Sequence, residues 1–272
     1  MTSSKRNGIV SDFSKAEYKP HDPMCEPGLV SILFLSCNKH KLADISLAST
    51  HAATRAHAGE IEWCLLEQGT GEDADDNIRL FRDLKVERKA IILPDTNYGI
   101  NSGFNSLWAI SRGEFCMHHE SDWLNRHTFF DFLQLAKEIM AEKSEVGIVQ
   151  LRAPSDPNEN WGRGKPQYNP WSCSTKELED AKVKVWLEKT KSGHEYGISE
   201  FANGWNHNPQ LVRKSLFREC GPLPEPPLNC DLRHGETEMA ERVANTGCAI
   251  AHIGIELYYH IGGAVRSLYE RS

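Results

Sequence analysis

The chain has 272 residues, 39% of them hydrophobic and 25% charged, with a net charge of −7 and a pI near 6.0. That length suits one large α/β domain better than two small ones. The acidic balance excludes broad binding to nucleic acid or to an anionic membrane, which needs a basic face. No apolar run approaches membrane-spanning length, and the N-terminal stretch lacks the apolar core of a secretory signal. None of the 8 cysteines, at positions 25, 37, 64, 116, 173, 220, 230 and 248, belongs to a Cys-x-x-Cys pair. They read as buried free thiols of a reducing compartment. The expected location is the cytoplasm, including a peripheral position on a membrane.

Residues 1–28 read as a polar N-terminal extension, with one domain over 29–272. "LVSILFLS" (29–36) is a continuous apolar run that fits a parallel strand buried on both faces. Residues 40–58 read as a helix ended by Gly59, and "IEWCLLE" (61–67) as a second strand. "GTGEDADD" (69–76) has turn chemistry, 77–86 reads as a short helix, and "KAIILP" (89–94) as a third strand. A loop, a helix around 103–112 and a fourth strand, "EFCMHH", follow. Such alternation with short connections predicts an α/β sheet with right-handed crossovers.

Beyond it, 127–142 reads as a helix and "EVGIVQLR" (145–152) as a strand. The loop after it carries Trp161, Tyr168 and Trp171 among Pro, Gly and Asn; residues 155–173 are expected to order over a ligand. A Pro-rich stretch (220–230) precedes "GETEMAERVANTG", a helix stopped by Gly247, and the end reads as a strand and a loop.

Ligands of open α/β sheets bind outside the carboxyl ends of the strands. Three polar clusters fall there: Ser36/Cys37/Asn38, Glu67/Gln68/Gly69 and Glu120/Ser121/Asp122. Any one of them alone would be an ordinary solvated loop. Residues two apart on an extended segment point the same way, so Glu120 and Asp122 share a target. Two adjacent carboxylates call for a positive partner, and a hard divalent cation such as Mg²⁺ or Mn²⁺ is the natural one. His118 and His119, beside them, are read first as packing or hydrogen-bonding residues.

This order of motifs, with "TNYGINSGFNSLWAISRGEF" before "ESD", resembles the GT-A fold of inverting, family-2-like glycosyltransferases. Asn97, Gly99, Asn105, Ala109, Gly113 and Glu114 match that family's third segment. The resemblance covers residues 29–125 well and about 206–263 more loosely. Two motifs depart from the family's pattern. Asp-Asp-Gly-Ser stands as Glu67-Gln68-Gly69-Thr70, and Asp-x-Asp as Glu120-Ser121-Asp122. Phe104 occupies the place of a basic residue often found before the Asn.

The resemblance implies a single Rossmann-like GT-A domain, with a mixed, mainly parallel central sheet flanked by helices. A nucleotide-sugar half would span about 29–125 and an acceptor half about 126–272. It implies a metal-dependent transferase, hexosyl or deoxyhexosyl in type, that moves a sugar from a nucleotide-diphosphate sugar to an acceptor hydroxyl with inversion. UDP is the first choice of nucleotide, with GDP or dTDP behind it. The acceptor would be a carbohydrate or another hydroxyl compound. Ser36, Asn38, Glu67, Asn97, Asn105, Glu120, Ser121 and Asp122 would hold the donor. Asp122, Glu120 and His260 would hold Mn²⁺ or Mg²⁺, with His252 the alternative histidine. Glu236 and Glu238 are the candidate catalytic bases, and Arg242, six residues on, puts Glu236 in the family's register. The rivals are a nucleotidylyltransferase and a non-catalytic nucleotide-sugar- or carbohydrate-binding domain. The first normally has a Gly-rich basic loop after its first strand; "SCNKHKLAD" has no Gly.

Overall fold

The computed structural model describes residues 25–152, 184–199, 205, 207, 209–224 and 233–262; of 233 and 234 it describes the backbone. The aromatic loop at 155–173 and most of the extension at 1–28 lie outside those residues. Strands β1 (Glu26–Ser36), β2 (Ile61–Glu67), β3 (Arg88–Ile92) and β4 (Gly113–Glu120) alternate with helices α1 (His40–Thr54), α2 (Glu72–Asp83) and α3 (Ile100–Ile110). A three-residue strand β5 (Trp123–Asn125), helix α4 (Phe132–Glu142) and β6 (Val146–Gln150) come next. Then follow β7 (Val185–Lys189), β8 (Glu195–Ser199), β9 (Gln210–Arg213), α5 (Lys214–Cys220), α6 (Arg233–Asn245), β10 (Ala249–Ile253) and β11 (Tyr258–His260).

Nine strands form one sheet in the order β3-β2-β1-β4-β9-β6-β10-β8-β7, and β5 pairs with β11 in a second, small sheet. The pairings β3-β2, β2-β1, β1-β4 and β6-β10 are parallel. β9 runs antiparallel to both β4 and β6, and β8 antiparallel to β10 and β7.

The middle of the sheet follows from β1. Val30, Ile32 and Phe34 face one core with Leu47 of α1, Phe81 of α2 and Phe132 of α4. Leu33 and Leu35 face the other with Phe104 and Leu107 of α3, Phe217 of α5 and Met239 of α6. Side chains alternate along a strand, so a run apolar at every position needs cover on both faces. The chain leaves β1 toward β2 and β3, then returns to place β4 on the other side of β1. The crevice of such a sheet opens where this order reverses, between β1 and β4. Register aligns the strand ends there: Ser36 is opposite Glu67, and Leu35 opposite Glu120.

Several boundaries differ from the sequence reading. β1 begins at Glu26, inside the expected extension; Glu26 N donates to Arg112 O, and Gly28 N to Glu114 Oε2 at 2.8 Å. α2 starts at Glu72, within the supposed turn, because Glu72, Asp73 and Asp75 fill its first turn, where the helix dipole favours acids. α4 starts only at Phe132, after Asp131 caps it by accepting from Gln134 N at 2.8 Å. Strands β5, β7, β8, β9 and β11 and helix α5 were not expected.

Candidate functional site

The turn that leaves β1 is built on Glu67. This buried carboxylate accepts from Asn38 N at 2.8 Å, Gly69 N at 2.6 Å and Asn77 Nδ2 at 2.7 Å. The same Asn77 amide nitrogen reaches Ser36 Oγ (3.1 Å) and Asn38 O (2.9 Å), and Asn77 Oδ1 lies 2.9 Å from His40 Nδ1. Glu67 was expected to touch a nucleotide; in the fold it is the hub that fixes the loop. Gln68 does the same for the next loop, since its Oε1 accepts from Tyr98 N (3.0 Å) and its Nε2 donates to Gly99 O (3.1 Å). Asn97 Oδ1 accepts from Gly99 N at 2.8 Å, and Asn97 Nδ2 lies 3.3 Å from Cys37 Sγ at the exposed mouth of the crevice.

At the end of β4 the backbone turns. Glu120 is the last strand residue, Ser121 N donates to Leu35 O at 3.0 Å, and Asp122 sits in the turn before β5. β11 pairs with β5 so that His260 is opposite Trp123, and Ile261 N donates to Asp122 O at 2.8 Å. This pairing brings His260 Nε2 to 3.3 Å from Asp122 Oδ2. His252, the alternative, stays in β10, buried, 3.2 Å from Ser199 Oγ.

Burial, then the charges of Asp122 and Glu236, push the Glu120 carboxyl well above the usual carboxylate range. Burial raises Asp122 as well. The hydrogen bond and charge of His260, with the charge of Lys39, outweigh it and hold Asp122 below its ordinary value. Glu120 Oε1 and Asp122 Oδ1 are buried without a hydrogen-bond partner among the described residues.

Among the described residues no three His, Cys, Asp or Glu side chains gather as a ligand set. A hard cation bound mainly through phosphate oxygens and water needs only one or two protein ligands. Asp122 and His260 fit that requirement. A Cβ added at Gly262 would lie 2.8 Å from Asp122 Oδ2 and 3.0 Å from His260 Nε2, so the glycine leaves room beside both donor atoms. Asp122 Oδ1 is a buried acceptor still to be satisfied.

Glu236 lies in the first turn of α6, half-buried, and its Oε1 accepts from His207 N at 2.9 Å. Its charge adds to the rise in the Glu120 pKa. Glu238 is turned to solvent and pairs with Arg242, which also donates to Pro222 O at 2.9 Å. The two glutamates therefore occupy different faces of the helix.

Other motif residues hold the fold around the site. Asn105 Nδ2 donates to Leu223 O (2.9 Å) and Asn105 Oδ1 accepts from Leu223 N (2.8 Å), so both ends of the amide tie α3 to the chain after α5. Asn101, one turn earlier, donates to Pro224 O at 2.6 Å. Gly113 N donates to Ser31 Oγ at 2.8 Å, and a Cβ there would crowd the same oxygen at 2.5 Å. Both histidines of β4 are fully buried. His118 stacks on Phe104 with ring centroids 4.3 Å apart, and burial pushes its pKa well down. His119 Nε2 lies 2.7 Å from Thr50 Oγ1, and burial lowers its pKa to about 4.

Sequence reasoning missed Lys39, Asn77 and Gly262. Lys39 directly follows the first strand-end cluster, a signal that was present; its Nζ lies 4.0 Å from Asp122 Oδ2. Asn77 and Gly262 carry no local signature.

No protein-family profile and no curated protein matches the chain. Solved structures do. TarS 1–349 from S. aureus superposes with a TM-score of 0.58 at 16% identity, covering 89% of this chain and 62% of that one. The mannosyltransferase PcManGT from Pyrobaculum calidifontis, in complex with GDP-Man and Mn²⁺, gives 0.54 at 14% identity, over 88% of this chain and 58% of that one. TarS 1–349 in complex with UDP-GlcNAc gives 0.54 at 14%, over 85% and 57%. The chain thus spans about three-fifths of the length of these structures. At such identities the likeness shows the fold: a GT-A, Rossmann-like α/β domain.

Proposed function

We propose that the chain is a glycosyltransferase that moves a sugar from a nucleotide-diphosphate sugar to an acceptor hydroxyl, with inversion at the anomeric carbon. One observation carries this reading: Glu120 at the end of β4 and Asp122 in the turn after it each hold a buried carboxylate oxygen without a hydrogen-bond partner among the described residues, with His260 against Asp122 and the half-buried Glu236 on α6. Like charges gathered there are costly without a cationic or proton-donating ligand. The GT-A fold, and neighbours whose structures contain UDP-GlcNAc or GDP-Man with Mn²⁺, support the choice of ligand.

Asp122 and His260 would hold Mn²⁺ or Mg²⁺ through one carboxylate oxygen and one imidazole nitrogen. When bound, the cation supplies charge neutralisation for the departing diphosphate. Glu236 takes the proton of the acceptor hydroxyl as its oxygen bonds to the anomeric carbon. The bond from that carbon to the diphosphate oxygen breaks on the opposite face, and its electron pair leaves with the nucleotide diphosphate. The His207 N–H holds the Glu236 carboxylate in orientation. Glu120, the last residue of β4, faces the donor's ribose or sugar.

A thermal-shift panel of UDP-, GDP-, dTDP- and CMP-sugars, with and without Mn²⁺, tests the reading. A ligand at 100 times its dissociation constant stabilises by roughly 2.7 kcal/mol. One nucleotide class should shift the transition in the presence of metal, and a flat response to all of them would remove the proposal.

A further inference from the structure

Asn38 and Lys39 are the two non-glycine residues with positive φ among the described residues, at 57° and 56°. A left-handed conformation is costly for a residue with a Cβ, and two in succession persist only where the surroundings over-determine them. Here they do. Glu67 holds the Asn38 N–H, Asn77 holds the Asn38 carbonyl, and Lys39 O starts α1 by accepting from Leu42 N and Ala43 N.

The turn delivers the Lys39 ammonium to the β1–β4 crevice. Its Nζ stands 4.0 Å from Asp122 Oδ2, and its side chain is 54% exposed. A half-exposed ion pair at that separation is worth little on its own and does not explain the strained turn. The Lys39 charge works to lower the pKa of both strand-end carboxyl groups. Those carboxylates keep buried oxygens, Glu120 Oε1 and Asp122 Oδ1, without a partner among the described residues. Behind Lys39, the N-terminus of the 15-residue α1 has no side-chain cap among the described residues and no acid in its first turn. By contrast, three acids occupy the first turn of α2. The positive end of α1 is therefore left for a ligand's negative charge.

We propose that Lys39 binds the diphosphate of the nucleotide donor through its ammonium group, giving those oxygens a positive contact from the protein in addition to the divalent cation. The inference rests on the donor reading above. It has a consequence that a merely structural role lacks: the same ammonium attracts the nucleotide and repels the free metal. Removing it should weaken the nucleotide and leave the free metal bound no more weakly.

The test is calorimetric titration of wild type, Lys39→Met and Lys39→Arg with four probes: UDP, GDP, uridine and Mn²⁺ alone. Lys39→Met should weaken UDP about tenfold, the equivalent of one charge-assisted hydrogen bond. It should leave uridine unchanged and leave Mn²⁺ binding equal or tighter, and Lys39→Arg should restore most of the UDP affinity. UDP binding equal in wild type and Lys39→Met overturns the inference, as does parallel weakening of UDP, uridine and Mn²⁺. Wild type that takes up neither UDP nor GDP, with or without Mn²⁺, removes the donor reading itself and this inference with it.

Discussion

Replacing Glu67 by Gln separates a scaffold role from a ligand contact. In wild type, Oε1 accepts from the N–H groups of Asn38 and Gly69, and Oε2 accepts from Asn77 Nδ2. Glutamine can keep one oxygen on the two backbone groups. Its new NH₂ group then meets the Asn77 NH₂, two donors with no acceptor between them. Asn77 cannot turn over to relieve this, because its nitrogen also serves Ser36 Oγ and Asn38 O while its oxygen meets His40. The lost charge-assisted bond is worth about 1.5–3 kcal/mol. The remaining two fall to roughly half their strength, offset by the easier burial of a neutral amide. The net expectation is about 2–3 kcal/mol of destabilisation. In a domain of this size that lowers Tm by roughly 4–12 °C. Urea denaturation followed by circular dichroism measures it, with nucleotide affinity recorded in parallel. Glu67→Gln with stability within ~0.5 kcal/mol of wild type but weakened nucleotide binding would refute the scaffold reasoning and return Glu67 to the ligand.

Glu236→Gln should lower turnover by at least ~100-fold with donor affinity nearly unchanged, while Glu238→Gln, on the solvent face, should do much less; steady-state kinetics with calorimetry decide, and the reverse ranking transfers the role to Glu238. Gly262→Ala should weaken Mn²⁺ binding about 10–100-fold by crowding Asp122 and His260, read by titration of Mn²⁺ with UDP present; unchanged metal affinity would place the cation elsewhere. Burial holds His119, His207 and His252 at about 4, so in the folded state they stay neutral where the unfolded chain binds protons. Their contribution is therefore whole above about pH 6.5 and is lost as pH falls toward 4. His252→Gln should flatten the stability slope in that window by about 1.4 kcal/mol per pH unit, and an unchanged slope would show that this ring is not the proton acceptor.

The middle of the sheet was legible because burial on both faces leaves an unmistakable pattern. β1 and β2 are near-continuous apolar runs, β4 has the apolar centre Phe115–Met117, and their polar ends named the crevice. Strands of three residues, such as β5 and β11, are too short to show a period, so the pairing that carries His260 to Asp122 was invisible in the order of residues. The start of α2 was misread because acids that favour a helix N-terminus look like turn chemistry. Asn105 was assigned to the nucleotide by motif. Its partner is the backbone of Leu223, 118 residues away, which no side-chain pattern announces. Lys39 depends on two successive left-handed residues, a conformation imposed by Glu67 and Asn77 rather than by local preference.

The central claim is that Asp122 binds a metal-associated nucleotide-sugar donor. Its most direct test is calorimetric titration of UDP-GlcNAc and GDP-Man into wild type and Asp122→Ala, each in Mn²⁺ and in EDTA. Wild type should bind one of the two donors in Mn²⁺ and bind it at least ~10-fold more weakly in EDTA, while Asp122→Ala, still folded, should lose the metal-dependent part. Equal, metal-dependent donor affinity in wild type and Asp122→Ala would contradict the account.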